Sequence, residues 1–385
     1  MLALARRGGV VLPLGGPPRA GGALVPVVAL VAWLAGCSSA PTVADAPQPP
    51  RPADVKLLID RVLPERVADR AGWVTDLYAA FSAQQLDPSK GNVCAVVAVI
   101  EQESGFRADP VVPGLGAIAW KEIDRRAAAA GLPSMLVHAA LQLPSSNGHS
   151  YADRIGSART ERDLSDAFED FIGRVPLGQT LFAGANPIRT RGPMQVNIAF
   201  VERYTASHPY PYPVARSAAD EAFTRRGGVY FGVAHLLDYP AAYDRILYRF
   251  ADYNAGQYAS RNAAFQRAVT SASGIPVIPD GALLAHDSSA RNAGSTELAV
   301  DVVAARIGLS PAAIHADLER GKEKAFEATA LYQRLYELAE RAEGRPLARA
   351  AVPQIQLSGP KITRDLSTEW YANRVHERYT RCMGR

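Results

Sequence analysis

The apolar positions of the chain recur mostly at helical spacing and predict a mainly α-helical protein. Residues 93–103 are unusual, because Val93 to Ile100 carry no strongly polar side chain. A helix without a polar face is buried on all sides, so we expect this segment to form the central helix of the core. Asn92 is its predicted N-cap, and Gly105 is the predicted residue just beyond its C-terminus.

Ten further segments predict helices from their apolar spacing and their capping residues. They are residues 54–63, 72–81, 120–130, 133–143, 163–172, 217–237, 243–254, 295–307, 310–342 with an interruption at Gly321, and 367–381 with Ser367 as the cap. Proline and glycine place loops between them, at residues 110–116, 144–148 and 177–191, and residues 275–283 predict a loop or a short strand. No internal repeat is present.

The first 36 residues predict a targeting segment. Three arginines are its only charges, and its apolar run, residues 23–34, is too short for a stable membrane span. The sequence Leu34-Ala-Gly-Cys37 resembles the processing site of bacterial lipoproteins. We therefore expect acylation of Cys37 and, because Ser38 follows it, anchoring on the periplasmic face of the outer membrane. The alternative is an ordinary secretory signal followed by a free cysteine.

Composition changes this picture in three ways. Residues 38–53 are rich in Pro, Ala and Ser and predict a tether. Without the three leader arginines, 39 basic residues stand against 38 acidic ones, which gives no electrostatic reason to expect nucleic-acid binding. Three cysteines and seven histidines show no paired spacing, so we expect neither a metal site nor a cofactor.

Cys94 and Cys382 are candidates for a disulfide in an oxidising periplasm, although Cys94 also fits a small buried core residue.

Glu103, the last residue of the apolar helix, is the candidate for acid–base chemistry. Burial disfavours the charged form of a carboxyl, and this raises its pKa toward neutral pH. The alternative is that Glu103 only marks where the helix reaches solvent. Glu101 lies two residues earlier and points to a nearly opposite face, so only one of the two carboxyls faces a given cleft.

Three blocks resemble, in order, the motifs of the soluble lytic transglycosylase family, which has a goose-type lysozyme fold. They are Glu103-Ser-Gly-Phe106, Gly192-Pro-Met-Gln-Val196 and Asp252-Tyr-Asn-Ala-Gly256. The helical segment 226–237 also resembles the Gly-x-x-Tyr-Leu helix of that family. The resemblance covers residues 93–268 and implies a lysozyme-like helical domain.

The resemblance implies that Glu103 acts twice on a glycosidic bond of peptidoglycan. As an acid it protonates the oxygen that leaves N-acetylmuramic acid, and as a base it takes the proton of that sugar's 6-hydroxyl, which closes a 1,6-anhydro ring. No water attacks and no second carboxylate is needed, whereas typical glycoside hydrolases use two carboxylates. Glu122, Glu169 and Asp170 are the candidates for a second acid, and each also fits a surface charge.

The resemblance also implies substrate-binding residues. Met194 would supply an apolar wall of the cleft, and Gln195 an amide that holds sugar or loop backbone. The phenol of Tyr253 would hydrogen-bond Glu103 and set its protonation. Ser104 would contact the N-acetyl group or cap the helix. Asn254 belongs to the same block, and either helix packing or substrate contact fits it.

Three departures from the family pattern bear on activity. An insertion at about residues 114–187 separates the first two blocks, and it predicts either a lid on the cleft or a loss of activity. Pro193 replaces the usual leucine and removes a backbone donor. Asp252 replaces the usual alanine, and it would either raise the pKa of Glu103 or face away.

We therefore predict a signal peptide (1–36), an anchor and tether (37–53), a lysozyme-like catalytic domain (54–274) and an additional C-terminal helical region (275–385). The predicted activity is lytic transglycosylation of peptidoglycan glycan strands, with the membrane as a partner through Cys37. A non-catalytic wall-binding or scaffolding lipoprotein and a hydrolytic muramidase are the alternatives on the same fold.

Overall fold

The computed structural model describes residues 50–174, 186–285, 293–357 and 364–385. The predicted signal peptide, Cys37 and the predicted tether up to residue 49 lie outside these ranges. Helix α1 begins at Pro52, so the last two residues of the predicted tether, Pro52 and Ala53, are helical. Within the described ranges, no helix is both long enough and apolar enough to span a membrane.

The predicted mainly α class is confirmed. In chain order the helices are α1 (Pro52–Val62), α2 (Arg70–Ala83), α3 (Lys90–Glu103), α4 (Leu115–Ala129), α5 (Ser134–Leu141), α6 (Tyr151–Ser157), α7 (Glu161–Arg174), α8 (Ile198–Ser207), α9 (Ala218–Glu221), α10 (Arg225–Leu237), α11 (Ile246–Ala255), α12 (Ala259–Ser273), α13 (Ser295–Asp301), α14 (Ala304–Ile307), α15 (Pro311–Glu319), α16 (Ala330–Glu343) and α17 (Thr368–Met383). Two antiparallel ladders pair β1 (Thr190–Arg191) with β2 (Val196–Asn197) and β3 (Gln356–Leu357) with β4 (Leu366–Ser367).

Helix α3 is the centre of the first core, as its apolar run predicts. Every residue from Val93 to Ile100 is fully buried. Helices α1, α10 and α17 pack against it, and α2 and α11 complete the layer around them. The N-cap is Ser89 rather than the predicted Asn92, because the Ser89 side chain accepts the Asn92 amide hydrogen.

The last helix belongs to this first core, although it lies in the predicted C-terminal region. Helix α17 packs along α3 and α11, and its Tyr371, Ala372 and Val375 are buried there. Cys94 of α3 and Cys382 of α17 form a disulfide with Cα atoms 5.5 Å apart. The chain thus returns to the central helix across a sequence separation of 288 positions.

The described part of the predicted insertion forms its own small core. Helices α4 to α7 pack on one another around Leu115, Tyr151 and Leu164, and Ile188 and Phe223 join this cluster from outside the insertion. Its side chains also reach the second motif block, where Arg191 of β1 donates hydrogen bonds to Ser165 and Glu169 of α7.

A second large core lies between α12 and α16, and α13, α15 and Phe326 complete it. Arg261 of α12 is almost fully buried, and its guanidinium donates to the carbonyls of Gly321 and Glu323. These bonds hold a stretch of two 3₁₀ helices, Arg320–Lys322 and Lys324–Ala328. The stretch divides the predicted helix 310–342 into α15 and α16, with the break at the predicted Gly321.

Other predicted helices are corrected by local caps and turns. The segment 217–237 is two helices, because α9 ends at Glu221 and Thr224 caps α10 anew. The segment 295–307 is interrupted between α13 and α14. Helices α6, α8 and α12 were not among the predicted ones. The predicted cap at Ser367 is confirmed, because its hydroxyl accepts the Trp370 amide hydrogen.

Candidate active site

Helix α3 ends abruptly and leaves Glu103 at its last turn. The backbone amides of Ser104 and Gly105 both donate to the carbonyl of Ile100. Gly105 has φ +59°, the left-handed conformation that terminates helices and that glycine adopts at little cost, as the sequence predicts. The Ser104 hydroxyl also donates to Ile100. Ser104 is thereby buried as a helix-end residue, and its hydroxyl is committed to the backbone rather than free for an N-acetyl group.

Glu103 is partly exposed as a residue, but protein surrounds its carboxyl group. Burial raises its pKa to about 7, and this effect outweighs a hydrogen bond from Tyr371 and the positive charge of Arg378, which both lower the pKa. At neutral pH the protonated and ionised forms are therefore both populated. A group with this balance can give a proton and later take one back.

Tyr371 of α17 is the direct partner of Glu103. Its hydroxyl donates to Oε1 of Glu103 at 2.5 Å. The phenol is buried, and both burial and the nearby Glu103 hold its pKa well above the ordinary value, so it remains a hydrogen-bond donor. Nothing in the family motifs marks Tyr371, because it lies 268 positions after Glu103.

Tyr253 lies beside the same carboxyl but does not hydrogen-bond it, which corrects the sequence-based expectation. Its hydroxyl donates to the backbone carbonyl of Met194 at 2.7 Å. Burial and, second to it, the charge of Glu103 raise the pKa of Tyr253 well above its ordinary value. Tyr253 therefore joins the third motif block to the second next to the acid. The hydrogen bond to Glu103 that was expected of Tyr253 is made by Tyr371 instead.

The second motif block is a tight turn held by close packing. The Met194 side chain is fully buried against Gly232 of α10, where a Cβ would lie 2.2 Å from the Met194 sulfur. Gly192 has φ +74° and approaches the carbonyl of Ala222. In this arrangement Met194 presents its carbonyl to Tyr253, and its side chain has no exposed surface for a sugar.

Gln195 is bound to protein groups on both sides of its amide. Its oxygen accepts from the Thr190 hydroxyl at 2.7 Å, and its nitrogen donates to Glu161 of α7 at 3.1 Å. Gln195 also has φ +51°, a backbone conformation that non-glycine residues rarely adopt. The structure therefore gives Gln195 the role of fastening the turn to the insertion.

Two other residues of the third block hold elements together. The exposed Asn254 accepts a hydrogen bond from Thr368, the first residue of α17. Asp252 is fully buried and faces away from Glu103, because its carboxylate accepts from Tyr239 and Tyr243 and from the amides of Tyr258 and Ser260. Asp252 thus fixes the turn between α11 and α12.

The other candidate acids form ion pairs with arginines. Glu122 pairs with Arg125 and Arg126, and these neighbours lower its pKa to about 2. Glu169 pairs with Arg191, and Asp170 pairs with Arg154 and Arg174. Glu101 lies 3.6 Å from Arg381. Among the described residues, no group of three or more potential metal ligands occurs.

The model of one protein family, described as "Protein of unknown function (DUF1615)", matches residues 66–385. The "Uncharacterized protein YaiW" of Escherichia coli (strain K12) is 51% identical over 354 residues, which cover 91% of this chain and 95% of that protein. No solved structure matches the chain. The lysozyme-like fold therefore stays a prediction.

Proposed function

We propose that this chain, which belongs to the DUF1615 family, is a peptidoglycan lytic transglycosylase on a lysozyme-like fold. The observation that carries the proposal is Glu103, a partly exposed residue at the end of a buried helix, whose carboxyl has a pKa raised to about 7. The three motif blocks support it, since Tyr253 and Met194 of the later blocks meet beside this acid.

In the proposed reaction, protonated Glu103 gives its proton to the glycosidic oxygen as the bond to C1 of N-acetylmuramic acid breaks. The resulting carboxylate then takes the proton of the 6-hydroxyl of the same sugar, and the 6-oxygen bonds to C1. Glu103 ends protonated, as it began, and no water is consumed. Tyr371 orients the carboxyl and stabilises its ionised form between the two steps.

The charges around Glu103 favour this reaction over hydrolysis. A tyrosine and an arginine are the groups that oppose the effect of burial on its pKa, and within the described residues no carboxylate is among the groups that set this pKa. Hydrolytic glycosidases place a second carboxylate about 5–9.5 Å from the acid. The predicted candidates for this second carboxylate form ion pairs within the insertion or with β1. They are Glu122, Glu169 and Asp170.

The test uses the full chain, purified in detergent, with isolated peptidoglycan and mass spectrometry of the released fragments. We expect fragments that end in 1,6-anhydro-N-acetylmuramic acid, which are one water lighter than hydrolysis products. Glu103→Gln should abolish their release. The matched control is Glu369→Gln, which changes an exposed glutamate two residues from Tyr371 on α17 and should leave release unchanged.

Two results would overturn the proposal. Reducing ends in the released fragments would identify a hydrolase. If the folded wild-type chain releases nothing but still binds isolated peptidoglycan, it is a wall-binding or scaffolding protein.

A further inference from the structure

Two adjoining recesses lie beside the end of α3, and arginines dominate their lining. Together they are lined by seven arginines and three acidic residues. Because the chain without its leader carries nearly equal numbers of basic and acidic residues, this is a local concentration of positive charge. The smaller recess, about 330 Å³ and here called the inner recess, is bounded by Gly105, Phe106 and Arg107, which begin two residues after the catalytic candidate.

Several of these arginines are already committed to protein groups. Arg70 pairs with Asp60, Arg381 pairs with Glu101, and Arg385 donates to the carbonyl of Val62. These contacts hold the walls of the larger recess.

The inner arginines retain unused donors. Within the described residues, the exposed Arg66 makes neither a hydrogen bond nor an ion pair, and Arg107 donates only to the carbonyl of Ser104. Arg378 donates to the carbonyl of Arg374, while its buried Nε has no partner. Guanidinium groups with free donors are suited to bind carboxylates, often through two parallel hydrogen bonds.

The inner recess adjoins the catalytic candidate. Arg378 lines the recess, and its positive charge acts on both Glu101 and Glu103. Along the chain, only Ser104 separates Glu103 from Gly105 of the recess. Glu101 lines the recess, two residues before Glu103. A ligand bound between Arg66, Arg107 and Arg378 therefore lies at the end of α3 that carries Glu103, on the side of Glu101.

We propose that the inner recess binds carboxylates of the peptide that peptidoglycan carries on N-acetylmuramic acid. The inference rests on the proposed function, because that sugar is the one whose bond Glu103 would break. Phe106, Val67 and Pro64 provide apolar surface in the same recess for the aliphatic parts of such a peptide. The recess would thereby select glycan that still carries its peptides.

The first test measures binding of the free stem tripeptide L-Ala-γ-D-Glu-meso-diaminopimelate to the full chain in detergent, by calorimetry at low and high salt. This peptide contains no glycosidic bond, so its binding is independent of catalysis. We expect binding that weakens as salt rises, and a loss of affinity of tenfold or more in the Arg66→Gln, Arg107→Gln double variant. Arg267→Gln, at an exposed arginine of α12 outside both recesses, is the matched control and should bind like wild type.

Three outcomes would overturn the inference: no binding of the tripeptide by the folded chain, unchanged affinity in the double variant, or equal binding of inorganic phosphate and the tripeptide.

The second test compares cleavage of intact peptidoglycan with cleavage of glycan strands freed of peptide by an amidase. The double variant should raise KM for intact peptidoglycan at least tenfold and leave KM for bare glycan unchanged. If wild type cleaves neither material but binds the tripeptide, the proposed function fails while the peptide site stands.

Discussion

The proton on Glu103 depends on opposed effects of burial, which raises its pKa to about 7, and of Tyr371 and Arg378, which lower it. The first step of the proposed reaction needs the protonated carboxyl. The rate should therefore fall as pH rises through the pKa of Glu103, and any change at Tyr371 should move that fall along the pH axis.

Tyr371→Phe should shift the alkaline limb of kcat/KM to higher pH by roughly 0.5–1 unit, because it removes a hydrogen bond that stabilises the carboxylate. The measurement is the rate of anhydro-fragment release between pH 4 and 10. Tyr379→Phe, on the same helix and without a hydrogen bond to Glu103, is the control. An unshifted limb in Tyr371→Phe would show that the phenol does not set this pKa.

Glu103→Gln should make the protein more stable than wild type at pH 8, but not at pH 4. The folded-state pKa is raised from 4.5 to about 7, so the folded protein binds the proton more tightly than the unfolded chain. Wild-type stability therefore falls as pH rises from about 4.5 to 7, by at most about 3 kcal/mol, and glutamine removes this loss. Urea unfolding of both proteins at the two pH values measures the difference. Equal pH dependence would contradict the raised pKa.

The sequence led to Glu103 because eight apolar residues precede it, but it missed Tyr371 because no local pattern marks a tyrosine in an ordinary amphipathic helix. The positions of the two cysteines in the sequence contain the information that locates Tyr371. Cys94 is nine residues before Glu103, and Cys382 is eleven residues after Tyr371. In two helices joined at the cysteines and running antiparallel, these spacings are roughly 14 and 17 Å, so Glu103 and Tyr371 come together.

At the scale of elements, the pairing of α3 with α17 positions the acid and its donor. The disulfide closes one end of this helix pair, and the Tyr371–Glu103 hydrogen bond closes the other. Loss of the disulfide should loosen α17 along its whole length. Stability and activity are therefore linked through one helix.

The double substitution Cys94→Ala, Cys382→Ala should lower the free energy of unfolding by about 2–5 kcal/mol. It should also reduce kcat, because Tyr371 is held less firmly against Glu103. Urea unfolding and fragment release measure the two effects. Wild type with the disulfide intact is the reference, and full kcat in the folded double variant would show that packing alone holds α17.

Helix positions were predictable where a cap and an apolar face agree, as at Ser367 and α17. They were not predictable where tertiary contacts override the pattern. Arg261 holds the carbonyls of Gly321 and Glu323 and converts the middle of a helical segment into 3₁₀ turns. Thr224 caps α10 only four positions after Asp220 of α9, a break that the continuous apolar spacing conceals.

At the scale of the whole molecule, the cores do not follow the order of the chain. The first core combines residues 55–106 with α10, α11 and α17, and the second lies between α12 and α16. A sequence shows the order of elements but not that the last one returns to the first core. The described insertion helices have their own core, which agrees with an addition to the motif-bearing part.

Cys37→Ala should move the protein from the membrane fraction to the soluble fraction, since the predicted anchor is the acylated thiol. Fractionation of cells that express either form, followed by immunoblotting, measures this. The catalytic variant Glu103→Gln is the control and should stay with membranes. Retention of Cys37→Ala at the membrane would contradict the predicted lipid anchor.

The partnership of Glu103 with Tyr371 has a consequence for the order in which the molecule becomes able to act. A chain synthesised as far as residue 268 already contains all three motif blocks, yet it lacks the phenol that contacts the acid. Only after residues 368–383 emerge and fold back onto α3, where the disulfide joins them to Cys94, is this phenol in place. For a protein proposed to cut the cell wall, this order delays the proposed activity until α17 has been made.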